Sequence, residues 1–291
     1  MLIYNKDLIS SPPGNTTELI EIGKQMTVDT DGDGKIDQYG LVWNFTEPFF
    51  YVPWLGGFGE WLLTDDNNPN LNTEGNRRGF QFIKALRDEH QIIPKECDYE
   101  IANAMFKTGR AAMIINGDWS WGDYSGVVDF GIARIPKVSE TGKWPSPLVS
   151  TKGYSININT TGEKLTETLK LMKHLTSADV QLYFTQRINS QPSAIAALNN
   201  HKVRNNVLLQ KSAEIIAVGR PMPIIPEMRA IWDALREQYQ AVLGGTISPK
   251  IAARRAQENS VKQIKIMNEV IQPGIQATIL YGIIMLVSII L

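Results

Sequence analysis

The sequence predicts an α/β protein of two lobes, on three observations. Short apolar stretches of strand character alternate with amphipathic helical stretches along most of the chain, which favours helices layered on sheets over a bundle or a sandwich. The 291 residues are enough for two domains that each bury a core. A stretch rich in Pro, Gly, Ser and Lys, Pro136 to Pro147, interrupts the pattern before a strand-like run, Gly153 to Ile158, restarts it. The lobe boundary is therefore set between residues 152 and 153.

The elements follow in order. Leu2 to Tyr4 reads as a short strand, and Asn15 with Glu18 three residues later forms a capping-box pattern opening a helix through Leu19, Ile22 and Met26. A second helix follows Thr73, with Phe80, Ile83 and Leu86 inward. Asp98 caps a third that turns Ala102 and Phe106 inward and ends at Gly109. Ala111 to Ile115 is a buried strand and Phe130 to Ile135 another. Past the boundary, Thr160 with Glu163 and Thr176 with Asp179 open two helices. Pro226 begins one through Met228, Trp232, Leu235 and Tyr239, and Ser248 with Pro249 caps the long last helix.

Composition removes several function classes. Lys plus Arg, 29, nearly balances Asp plus Glu, 30, so the broad positive footprint that nucleic acid needs is missing. A lone Cys97 forbids an internal disulfide, and with only His90, His174 and His201 beside it a Cys/His metal cluster cannot form. The opening MLIYNKDLISSPPG lacks the basic and apolar regions of a signal peptide. Residues Ile275 to Leu291 carry one strongly polar side chain, Gln276. As a helix they would reach about 25 Å, so they are expected to enter a membrane.

Three clusters carry candidate chemistry. In DTDGDGKID, Asp29, Asp31, Asp33, Gly34 and Asp37 occupy positions 1, 3, 5, 6 and 9 of a calcium loop, with the Lys35 carbonyl a further ligand. A structural Ca²⁺ is the expected cofactor. Position 12 is Gly40 in place of the bidentate Glu. Between 43 and 61 stand Trp43, Phe45, Phe49, Phe50, Tyr51, Trp54, Phe58 and Trp61, broken by prolines and glycines. Most should pack in a core; those left in a cleft would stack on the C–H faces of sugar rings, with Glu47 and Asn44 bonding hydroxyls. In NGDWSW, Asp118, Trp119 and Trp121 follow a buried strand, a usual place for ligand contacts in α/β sheets. By periodicity Trp232 belongs to its helix's apolar stripe.

A glycosidase pairing Glu47 with Asp118 or Asp65 stays open, as does a membrane-tethered calcium-binding interaction protein. GGFGEW lacks the third glycine of a dinucleotide fingerprint, no P-loop is present, and three scattered histidines make no triad.

Taken in order, LIYNKDLI with PPGNTTEL, EPFF, FKTGRAAMIINGDW, GIARIPKV, GYSININ and RPMPIIPEMRAIWDALREQYQAVLGG resemble the maltose/maltodextrin-type solute-binding proteins of ABC transporters, up to about residue 271. The resemblance implies a two-lobed, class II periplasmic-binding-protein-like fold that closes on a sugar without covalent chemistry. It implies residues 1–152 as the C-terminal lobe with a first crossing strand, 153–272 as a second crossing strand and the C-terminal part of an incomplete N-terminal lobe, and 273–291 as the start of a transmembrane segment. It carries over Glu47, Phe49, Phe50, Trp119, Trp232 and Arg236 as ligand contacts. Tyr often stands in the family where Phe49 stands here. Maltodextrin-like oligosaccharides, and permease subunits that could be fused to the C-terminus, are the implied partners. The implied location is the periplasmic or extracellular face of the cytoplasmic membrane. An incomplete lobe implies exposed apolar surface.

Overall fold

The computed structural model describes residues 1–270. In chain order its elements are β1 (Leu2–Asn5), α1 (Thr16–Met26), β2 (Tyr39–Val42), α2 (Val52–Gly57), α3 (Glu74–Asp88), α4 (Tyr99–Lys107), β3 (Ala111–Ile115), α5 (Trp121–Tyr124), β4 (Phe130–Ala133), β5 (Leu148–Val149), α6 (Gly162–Leu175), α7 (Ala178–Ile188), α8 (Ile195–Leu198), α9 (His201–Arg204), α10 (Val207–Ile216), β6 (Arg220–Pro221), α11 (Met228–Leu243) and α12 (Pro249–Val270).

A four-stranded sheet in the order β2-β3-β1-β4 organises the first lobe. β1 runs antiparallel to both neighbours, Leu2 facing Ile115 on one side and Ala133 on the other, while β2 and β3 are parallel. All five residues of β3 and all four of β1 are buried, as expected of strands covered on both faces. Helices α1 and α4 pack against β2 and β3.

The helix starts follow local chemistry. Asn15 Oδ1 accepts from the N–H groups of Thr17 and Glu18, and Glu18 Oε2 accepts from Gly14 N–H. Thr73 and Asp98 accept from Asn76 and Ile101 N–H, and Gly109 ends the α4 region at φ 74°. Where β2 crosses α1, a Cβ on Gly40 would lie 2.3 Å from the Gly23 carbonyl oxygen. Close backbone approach therefore accounts for the glycine at the position where a calcium loop carries Glu.

Helices α11 and α12 pack on each other and on α3. Trp43 Nε1 donates to the Tyr239 hydroxyl at 2.7 Å, and Tyr51 stacks between Phe80 and Tyr239. The expected division at 152/153 thus does not hold for the last two helices, because their apolar stripes find their partner in the first lobe. What remains of the second lobe is the segment from 150 to 219, whose α10 packs back on β4, with Arg134 Nε donating to the Glu214 carbonyl at 3.2 Å. It leaves through β5 and returns through β6, the two strands forming a parallel pair.

Several expectations beyond residue 150 are corrected. Gly153 to Ile158 is irregular and exposed, because no strand lies beside it among the described residues. Thr161, not Thr160, precedes α6 and makes no side-chain cap; Ser177, not Thr176, caps α7 by accepting from Val180 N–H. α6 buries no residue despite its amphipathic pattern. Ile158 and Ile195 are 72% and 76% exposed, and Leu169, Leu171, Tyr183 and Ile188 are exposed with them. Apolar surface on this lobe is uncovered among the described residues.

No helix of the described residues is long and apolar enough to cross a membrane. The apolar run 275–291, expected to enter one, lies outside the described residues.

Candidate functional site

The site starts at the turn after β2. Asn44 Oδ1 accepts from both the N–H and the hydroxyl of Thr46, at 2.9 and 2.7 Å, which bends the chain ahead of Glu47. Glu47 then stands before a single 3₁₀ turn, Pro48–Phe50, and makes no cap with its own backbone, so its carboxylate is free to reach elsewhere. Helix α11 supplies the partners. Trp232 Nε1 donates to Glu47 Oε2 at 3.2 Å, and Arg236 donates through Nε to Oε1 and through Nη2 to Oε2, both at 3.2 Å. Arg236 Nη1 also donates to Asp233 at 2.6 Å. The hydrogen bond to Glu47, seconded by Asp233, raises the guanidinium above its ordinary value and holds it charged.

Helical spacing explains the grip. Residues 232, 236 and 240 lie one turn apart on one stripe of α11, and Gln240 Nε2 donates to the Thr46 carbonyl at 2.8 Å. Ile231, Leu235 and Tyr239 form the adjoining buried stripe. Trp232 is therefore half-buried at the border of the two stripes rather than inside the core.

The 3₁₀ turn sends its two phenylalanines opposite ways. Phe50 enters the core at 6% exposure, whereas Phe49 is half-buried and meets the edge of Trp119, centroids 5.7 Å apart. Trp119 is 42% exposed and donates from Nε1 to the Tyr99 hydroxyl at 3.0 Å. A Cβ on Gly117 would sit 2.0 Å from the Trp119 ring, so the indole lies flat on a bare backbone. An exposed indole touching Phe49, two residues along from an ion-paired carboxylate, combines an apolar platform with fixed hydrogen-bonding groups.

The structure thus gathers Glu47, Phe49, Trp119, Trp232 and Arg236 from among the expected contacts. Phe50 stands behind them in the core, and Asn44 is buried, its side-chain oxygen engaged by Thr46. Trp43 and Trp54 are fully buried, in keeping with most of the aromatic run being core, and Trp121 of the strand-end cluster is fully buried too, which removes it from the candidate ligand contacts. Two residues were missed. Gln240 was signalled by its four-residue spacing from Arg236, and Tyr99 follows the cap Asp98 with nothing in the sequence to mark it.

The acidic loop closes through the Val28–Gln38 bridge. Carboxylate oxygens of Asp29, Asp31 and Asp37 lie within 4.8 Å of one another. Asp33 is not among them; its oxygens take the Lys35 N–H and ammonium, each at 2.8 Å. Hydrogen bonds from the Thr30 side chain and N–H hold the Asp37 carboxyl below its usual range.

A family model described as bacterial extracellular solute-binding protein matches residues 1–211. The galactooligosaccharide-binding protein of Bacillus subtilis is 25% identical over 278 residues, 91% of this chain and 64% of that protein. The maltotriose-binding protein of Pyrococcus abyssi is 24% identical over 271 residues, 91% of this chain and 58% of that protein. The chain therefore spans about three fifths of the length of these curated relatives. Among solved structures, the maltose/maltodextrin-binding domain MalE from Bdellovibrio bacteriovorus bound to maltotriose is 58% identical, with a TM-score of 0.87 over 91% of this chain and 70% of that one. The maltotriose-binding protein of Thermus thermophilus bound with maltotriose is 26% identical, with a TM-score of 0.79 over 90% and 69%. These likenesses establish the two-lobed maltose-binding-protein-like fold. Together with the family match, they show that the chain belongs to the bacterial extracellular solute-binding protein family.

Proposed function

We propose that this chain is the sugar-contacting portion of an extracytoplasmic receptor that delivers maltodextrin-like oligosaccharides to an ABC importer, without covalent chemistry of its own. The observation that carries the reading is the juxtaposition of the exposed Trp119 face and Phe49 with a Glu47 carboxylate held by Arg236 and Trp232. A pyranose offers C–H faces to aromatic rings and a rim of hydroxyls to charged acceptors and donors. Glu47, taking three donors, is held as an acceptor rather than as a proton donor poised over a glycosidic oxygen. The relatives named above support oligosaccharides as the ligand class and an importer as the partner.

The test is titration with maltose, maltotriose and maltotetraose, read by tryptophan fluorescence and calorimetry. Saturable binding is expected, with no reducing ends released on long incubation. Absence of binding to every sugar sinks the reading, and steady release of reducing ends would establish the glycosidase in its place.

We propose two further features of the same receptor. Asp29, Asp31 and Asp37 hold a structural Ca²⁺, supported by their convergence within 4.8 Å. Addition of calcium should then raise the melting temperature, and chelator should reverse it; an unchanged temperature removes the ion. The apolar run 275–291 tethers the receptor to the membrane, supported by its composition. Carbonate extraction of membranes should leave the protein in the pellet, and release to the supernatant would refute the tether.

A further inference from the structure

A closed hydrogen-bond network lies beneath the aromatic platform. Asn103 on α4, Asn116 just after β3 and Tyr124 on α5 are all buried among apolar side chains, beside the buried Ser120, whose hydroxyl donates to the Gly117 carbonyl at 2.7 Å. Asn116 Nδ2 donates to Asn103 Oδ1 at 3.1 Å and to the Tyr124 hydroxyl at 3.0 Å, and Tyr124 in turn donates to Asn103 Oδ1. Two groups lead out of it. Asn103 Nδ2 donates to the Tyr99 carbonyl at 2.6 Å, and Asn116 Oδ1 accepts from the Gly117 N–H at 2.9 Å.

Those two exits define its role. Tyr99 is the residue whose hydroxyl holds the Trp119 indole N–H, and Gly117 is the backbone on which the indole lies. We infer that Asn103, Asn116 and Tyr124 form a positioning network that fixes the Trp119 ring for ligand stacking by holding both of its supports. Leu, Leu and Phe would fill a similar space without desolvating two amides and a hydroxyl, so stability alone does not call for this arrangement. Satisfied buried networks select one geometry, and a stacking platform needs one geometry before ligand arrives. The three residues touch no ligand; they act through Trp119. The inference rests on the sugar-binding reading only for its consequence for affinity.

The test uses Asn103→Ala and Tyr124→Phe, each alone and combined with Trp119→Ala, in the full chain. The Trp119 indole N–H is identified in a ¹H–¹⁵N spectrum by its loss in Trp119→Phe. Without sugar, both network variants should shift or broaden that signal. Maltotriose affinity should fall about tenfold in the Trp119 background and change by less than about twofold when Trp119 is already Ala. An unmoved indole signal, or an equal loss of affinity in both backgrounds, overturns the inference, since a network that only stabilises the lobe would act in both. If Asn103→Ala does not fold, Tyr124→Phe, which removes a single hydroxyl, decides by the same two readouts. Failure of the unsubstituted protein to bind maltotriose would instead defeat the receptor reading and leave the sugar-free indole signal to judge the network.

Discussion

Glu47 accepts two hydrogen bonds from Arg236, 189 residues further along the chain, each at 3.2 Å. The pair joins the turn after β2 to α11 and fixes the direction of a carboxylate beside the aromatic platform. Both side chains are partly exposed, 40% for Glu47 and 33% for Arg236, so the pair contributes little to folding. Its value lies in geometry. Glu47→Gln keeps the shape and removes the charge; it should weaken oligosaccharide binding about ten- to a hundredfold while the urea midpoint barely moves. Calorimetry and urea unfolding on the same preparation check both halves.

The two tryptophans of the strand-end turn should separate binding from stability. Trp121→Ala removes a fully buried side chain and should cost about 3–5 kcal/mol by urea unfolding. Trp119→Ala removes one that is 42% exposed, so its cost to stability should stay within about 1 kcal/mol. Only the second should remove most of the fluorescence response to sugar in a protein that remains folded.

Gly117→Ala tests the seat of the platform. The backbone there is extended, at φ −110°, and accepts any residue without strain, so the substitution acts only through its added methyl. That methyl would sit 2.0 Å from the Trp119 ring and force it off its place. Sugar affinity should fall about tenfold, and the circular dichroism of the backbone should not change.

Alkaline pH should expose two buried acids. Burial pushes the Cys97 thiol up to about 12 from an ordinary 9.0, and pushes the Tyr124 phenol up to about 12 from 10.0. Each folded value is raised, so the neutral forms support the fold below the ordinary values, and that support is lost as pH climbs toward 12. Stability should decline from about pH 9 by at most about 1.4 kcal/mol per pH unit for each group, and Cys97→Ala should flatten the first part of the decline. Native Cys97 should also resist alkylation at pH 8 and react once urea is added.

Local chemistry made much of the first lobe legible. The Asn15, Thr73 and Asp98 caps bond backbone within three residues of themselves, and β3 reads as an unbroken apolar run because both of its faces are covered. Such features need no distant partner. The strand expected from Gly153 to Ile158 did need one, and among the described residues none lies beside it.

At the site the division is the same. Residue types and their order were enough to mark Glu47 in its aromatic turn and Trp119 at its strand end. Phe49, Trp232 and Arg236 entered as ligand contacts only through the resemblance to the maltose/maltodextrin-type binding proteins, periodicity alone placing Trp232 in its helix's apolar stripe. Tertiary structure alone decided that Phe50 turns inward while Phe49 does not, that Asp33 spends its oxygens on Lys35, and that Tyr99 holds Trp119. The packing of α11 and α12 on α3, against the lobe boundary the sequence suggested, also belongs to that second group. An amphipathic stripe states that a helix has an apolar side and leaves its partner unnamed. Only the folded chain brings Glu47 and Arg236 to 3.2 Å across 189 residues.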